Sequence, residues 1–215
     1  EMVIRDWSSD VCSSDLNVNH LKHTLKTLIC CGNCEIDQYG ISELESLKEL
    51  HCGHNKKINN VNHLKHTLEI LGCDGDCGIN QRGILELECL KELECGYNKK
   101  INNVNHLKNT LEELVCSFSC GINQNGISDL KYIKFLNCNG NEKINDVNHL
   151  TSTLKILYCD GECGINQRGI SELKFLKELC CSYNEKIYSV NHLNNTLEKL
   201  YCSFNSGIEI GRAHV

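Results

Sequence analysis

The sequence predicts an α/β repeat solenoid of about nine right-handed coils. Each coil lays one short parallel strand into a single sheet on the concave side. Short helices and 3₁₀ turns face the convex side. Three observations carry this. The tetrapeptide Val-Asn-His-Leu begins at Val18, Val61, Val104, Val147 and Val190, each 43 residues after the last. Inside that period a cysteine recurs at 30, 52, 73, 95, 116, 138, 159, 181 and 202, at alternating intervals of 22 and 21. Every one sits in the frame Leu-x-x-Leu-x-Cys, with Ile133 in place of the first Leu once. A fixed period of this length marks units that bury their apolar faces against each other and not within themselves.

The strands come first. In Leu47-Lys-Glu-Leu50-His-Cys52 the fourth and sixth positions alternate with exposed ones, the period of two that belongs to a strand. A return after some 21 residues leaves room for one turn, one short convex segment and a loop. Successive strands must then run parallel, about 4.8 Å apart.

The convex segments alternate in kind. In the longer units Asp37, Asn80, Asn123 and Asn166 precede Gln-x-Gly-Ile, where an Asx side chain can cap the free N–H groups of a short helix. In the shorter units Ile58, Val61 and Leu64 recur every third residue, the period of a 3₁₀ turn. Gly40, Gly83, Gly126 and Gly169 mark either a close approach of the neighbouring coil or a positive φ.

Sixteen of the 17 cysteines lie between residues 17 and 208. Ladder cysteines of consecutive coils are expected about 4.8 Å apart with parallel Cβ vectors, which suits neither a disulfide nor a tetrahedral zinc site. The expectation is buried core thiols, small hydrophobes in a Leu ladder, with no cofactor and no metal. The cluster Cys30-Cys31-Gly32-Asn33-Cys34 is the one place where a metal warrants a test. That many reduced thiols point to a reducing, cytoplasmic setting.

The ninth frame position is Asn in every shorter unit (Asn55, Asn98, Asn141, Asn184), and an inward amide there can bond backbone of its own coil and the adjacent one. The His of each Val-Asn-His-Leu (His20, His63, His106, His149, His192) reads as a repeat-encoded hydrogen bond and not as five active sites.

Residues 17–208 resemble the leucine-rich repeat family through this frame, with Cys in place of the family's usual Leu at the sixth position. Longer units such as Cys116-Ser-Phe-Ser-Cys-Gly-Ile-Asn-Gln-Asn-Gly-Ile127 resemble the cysteine-containing subclass found in F-box substrate receptors. The shorter ones resemble the short-turn subclass, and the mixture is similar to leucine-rich repeat proteins of giant DNA viruses. The flanks 1–16 and 209–215 (Glu-Ile-Gly-Arg-Ala-His-Val) resemble translated sequencing adapter and are set aside as non-native, leaving an uncapped fragment.

Function classes narrow from composition. A charge of -6 argues against a nucleic-acid binder, which would carry a basic stripe. Mean hydropathy is -0.32 and no apolar run approaches about 18 residues, so no membrane partner is expected. No P-loop, Gly-x-Ser-x-Gly or His-Glu-x-x-His occurs, so neither enzyme chemistry nor a small-molecule ligand is expected. Variation against the fixed frame points instead to the third and fifth positions, which face outward on the sheet. There Glu49, Glu92, Glu94 and Glu113, with Asp74 in the seventh position, form an acidic patch. Phe135, Ile156, Tyr158 and Tyr201, with Val115, form an apolar one. The resemblance implies a protein-binding module using this concave face. A second reading is the substrate-recognition part of an F-box ubiquitin ligase adaptor, which would need an F-box ahead of residue 17.

Overall fold

All nine expected strands form, each three residues long and each at frame positions three to five. They are β2 Thr27–Ile29, β3 Glu49–His51, β4 Ile70–Gly72, β5 Glu92–Glu94, β6 Glu113–Val115, β7 Phe135–Asn137, β8 Ile156–Tyr158, β9 Glu178–Cys180 and β10 Lys199–Tyr201. A computed structural model describes residues 2–3 and 16–208. Its one sheet has ten parallel strands in sequence order, because Met2–Val3 (β1) pairs ahead of β2. That first strand falls inside the 1–16 flank, whose remainder up to Asp15 lies outside the described residues, as does 209–215.

Register follows the frame residue for residue. Leu50 sits beside Leu71, Leu71 beside Leu93, and Leu93 beside Leu114. A slip of one residue would turn every inward Leu outward, so burial locks the pairing. The ladder cysteines from Cys30 to Cys181 are fully buried with the Leu columns, and Cys202 is half-buried in the last coil.

Convex turns form where the spacing placed them. The shorter units carry 3₁₀ turns at Asn19–Leu21, Asn62–Leu64, Asn105–Leu107, Asn148–Leu150 and Asn191–Leu193. In the longer units only Gln124–Ile127 closes an α-helical turn; Tyr39–Ile41, Gln81–Ile84 and Arg168–Ile170 are 3₁₀. A segment of one turn gains too few i−4 bonds to prefer the wider helix. The expected caps are present: the side chains of Asp37, Asn80, Asn123 and Asn166 accept from backbone N–H groups at 2.8–3.1 Å. At Gly83, Gly126 and Gly169 φ is ordinary and the reason for glycine is space. A Cβ there would meet the carbonyl oxygen of Asn59, Asn102 or Asn145 at 2.1–2.2 Å.

Polar side chains stitch one coil to the next. Asn98 Nδ2 donates to the carbonyls of Cys73 (2.9 Å) and Ile79 (3.1 Å) one coil back, while its Oδ1 accepts from Lys100 N–H at 3.0 Å. Asn55, Asn141 and Asn184 repeat that pattern. His63, His106, His149 and His192 each place Nε2 2.9–3.1 Å from the carbonyl of Ile41, Ile84, Ile127 or Ile170. The glutamines of the longer units form a further row, unexpected from the sequence. Gln81 Oε1 accepts from the N–H groups of Asn102 and Asn103, and its Nε2 donates to Asn103 O at 2.8 Å. Among the described residues no buried side-chain nitrogen or oxygen is left without a partner. Loop backbone that would otherwise be buried unpaired is thereby satisfied.

Candidate functional site

The outward face of the sheet collects two columns of side chains, one from the third frame position and one from the fifth. Parallel in-register pairing sets neighbours in a column one strand spacing apart, about 4.8 Å. Residues distant in sequence thus become a continuous surface. The buried fourth and sixth positions scarcely vary, while these two columns change from coil to coil.

Within the acidic half the structure brings three carboxylates together. Glu92 on β5 is in register with Glu113 on β6, and Glu94 lies two residues along on the same face of β5. Burial, followed by repulsion from Glu113, Glu94 and Glu49, raises the pKa of Glu92 above the ordinary carboxylate range. Glu49 on β3 lies one strand beyond Ile70 and is already engaged. Its carboxylate bonds His51 Nε2 at 2.9 Å and accepts from Thr27 Oγ1 at 3.1 Å, and the His51 bond, ahead of Thr27, lowers its pKa. Asp74 does not join them. It sits past the end of β4, 3.9 Å from His54 Nε2, on the rim of the sheet.

In the apolar half Phe135 on β7 faces Ile156 on β8 in register, and the Phe135 and Tyr158 rings meet edge-on with centroids 5.4 Å apart. Val115 on β6 is separated from Tyr158 by Asn137. Tyr201 stands on β10, two strands from Tyr158, with Cys180 between them. Glu178, absent from the expected site, stands between the two tyrosines. It is almost fully buried, accepts from Tyr158 Oη at 2.6 Å and pairs with Lys199 Nζ at 2.9 Å. The bond to Glu178 pushes the Tyr158 hydroxyl up to about 12, and the same contact, then Lys199, lowers Glu178. A charge beside a tyrosine column was visible once the frames were aligned.

The eighth frame position adds a further row beside the sheet. It reads Gly32, His54, Gly75, Tyr97, Phe118, Gly140, Gly161, Tyr183 and Phe204, and all nine have φ between +48° and +68°. Glycine in four of nine frames was the available signal for a left-handed turn. Where a ring replaces it, the conformation costs about 1–2 kcal/mol. Stacking offsets part of that: Tyr97 lies on Phe118 with centroids 4.5 Å apart, and Tyr183 on Phe204 at 5.0 Å. These exposed rings line the edge of the sheet beside the two patches.

The cysteine cluster near the start divides by depth. Cys30 is buried, Cys34 half-buried and Cys31 exposed. Burial is the leading cause that raises the pKa of Cys30 and Cys31. Among the described residues no group of three or more His, Cys, Asp or Glu is arranged to hold a metal ion.

No family model matches the sequence, and no characterised protein matches it in sequence. In three dimensions it is similar to internalin C2 from Listeria monocytogenes, with a TM-score of 0.56 and 21% identity, over 88% of this chain and 80% of that one. At that identity the likeness is one of fold. With ten parallel strands, the Leu and Cys columns and the alternating convex turns, this chain folds as a leucine-rich repeat solenoid.

Proposed function

We propose that the chain is a protein-binding module that docks its partner on the outward face of the sheet, and not an enzyme. The observation that supports this most is the contrast within each frame. Inward positions hold one apolar ladder, while the outward columns carry a clustered carboxylate trio beside an aromatic pair. The fitting partner carries a basic segment for Glu92, Glu94 and Glu113. It also carries an apolar anchor for Phe135, Ile156 and Tyr158, with Val115 and Tyr201 at the margins. Desolvated aromatic anchors dominate such interfaces, and charge complementarity steers the encounter. Glu49 and Asp74 contribute to the field more than to contacts, since His51 occupies the first and the second lies on the rim, 3.9 Å from His54. The abundance of free thiols supports residence in a reducing compartment such as the cytoplasm.

The test is capture of a partner by the wild-type protein, by Tyr158→Ala and by Glu94→Lys, with a photo-crosslinker at position 137 to locate contact. Loss of capture in both variants, weaker binding at high salt, and crosslinks from position 137 support the reading. Equal capture by all three proteins dismisses it.

A further inference from the structure

Behind the sheet, ladder thiols of the shorter coils meet the additional thiols of the longer ones. Cys52 Sγ lies 3.7 Å from Cys77 Sγ, Cys95 3.7 Å from Cys120, and Cys138 3.6 Å from Cys163. Each pair is separated by 25 residues and joins one coil to the next. All six thiols are free and fully buried. The sequence alone suggested only ladder-to-ladder neighbours. This diagonal contact arises because the second cysteine of a longer unit reaches back under the preceding coil.

The two members of each pair are chemically unequal. Lys100, Lys143 and Lys186 lay their ammonium groups on the carbonyls of Cys77, Cys120 and Cys163 at 2.8–3.0 Å. The contact with the ladder sulfur, in which either atom can donate, and the nearby ammonium lower the pKa of Cys77, Cys120 and Cys163. The same contact, followed by burial, raises Cys52, Cys95 and Cys138, which among the described residues have no ammonium beside them. The loop sulfur is thus the nucleophile of the pair, and the ladder sulfur is the one that resolves.

We propose that the three pairs are oxidation sites, at each of which hydrogen peroxide converts a buried dithiol into a disulfide linking adjacent coils. The Cys77 thiolate attacks one peroxide oxygen and the O–O bond breaks. Hydroxide leaves and is protonated by the proton Cys77 gave up, so one water forms beside a Cys77 sulfenic acid. Cys52 sulfur then displaces hydroxide from the Cys77 sulfur, and its own proton completes the second water. Two thiols surrender two electrons to one peroxide. The sulfurs must close by about 1.6 Å to bonding distance, a movement shared between two side chains. Full burial selects a small neutral oxidant over a bulky disulfide reagent.

The fourth copy supplies a natural control. Twenty-five residues beyond Cys181 the position is Ser206, whose hydroxyl donates to Cys202 O at 2.7 Å. In this half-buried place in the last coil a hydroxyl stands where the other copies hold a buried thiol.

The experiment titrates the fully reduced protein with hydrogen peroxide, blocks remaining thiols after denaturation and maps linked peptides by mass spectrometry. The result expected is three links, Cys52–Cys77, Cys95–Cys120 and Cys138–Cys163, with Cys73, Cys116 and Cys159 still alkylatable. Dithiothreitol should reverse them, and the oxidised protein should melt at a higher temperature. A variant with Cys77→Ser, Cys120→Ser and Cys163→Ser should lose all three links. Links between successive ladder cysteines would overturn the proposal. So would six free thiols at a peroxide dose that fully oxidises the exposed Cys31. If the variant does not fold, the wild-type peptide map alone decides.

Discussion

Replacing Asn98 by Ala isolates what the inward amides contribute. Asn98 is fully buried and gives partners to three backbone groups, the carbonyls of Cys73 and Ile79 and the N–H of Lys100. Leaving a buried polar group unpaired costs about 1–3 kcal/mol. Three groups at the lower bound give about 3 kcal/mol, a figure that water entering the vacated amide volume would hold down and not raise. For a chain of this size each kcal/mol moves the melting temperature by about 2–4 °C, so the expected loss is about 6–12 °C. Thermal unfolding followed by circular dichroism measures it, with Asn33→Ala, at an exposed position in the second strand's coil, as the control. Coils interact only with their neighbours, so the transition should also broaden as the coils around residue 98 melt early. A melting temperature within 1 °C of wild type (roughly 0.3–0.5 kcal/mol) would refute the accounting.

Three further outcomes follow from the same structure. Burial lowers the pKa of His63, His106 and His149, so the folded state favours the neutral ring. Stability from this source is complete above the unfolded value of about 6.5 and is lost as pH falls below it; a urea midpoint at pH 5.5 equal to that at pH 7.5 would contradict this. Glu92 has a raised pKa, so its charge opposes folding at neutral pH, and Glu92→Gln should raise the melting temperature at pH 7 but not at pH 4. An equal shift at both pH values would count against the carboxylate cluster. Gly126→Ala should destabilise far more than Gly161→Ala, because the first Cβ meets Asn102 O at 2.2 Å whereas the second meets open space at φ +65°. The second change should cost only about 1–2 kcal/mol, and calorimetry showing the reverse order would be decisive against the coil spacing.

Much of this was legible because a repeat is its own alignment. The Leu and Cys columns could be placed inward from period alone, and every strand and shorter-unit turn followed. The longer-unit spacing predicts short helices, yet all but Gln124–Ile127 close as 3₁₀ turns, since a single turn has no length over which the i−4 bond can win. The choice between space and positive φ at Gly83, Gly126 and Gly169 was open in the sequence. A carbonyl of the neighbouring coil settled it, and such a carbonyl is invisible until coils are stacked.

The candidate surface divides in the same way. Alternation decided which residues of the frame face outward, so Glu92, Glu94, Glu113, Phe135 and Tyr158 were readable in advance. Stacking decided who touches whom. It withdrew Asp74 to the rim, engaged Glu49 with His51, placed Glu178 under the Tyr158 hydroxyl and brought Cys52 against Cys77. Period and residue type are properties of one coil and are written along the chain. Lateral neighbours lie 19 to 25 residues away, and their contacts depend on the rise and offset between coils, which only the folded solenoid determines.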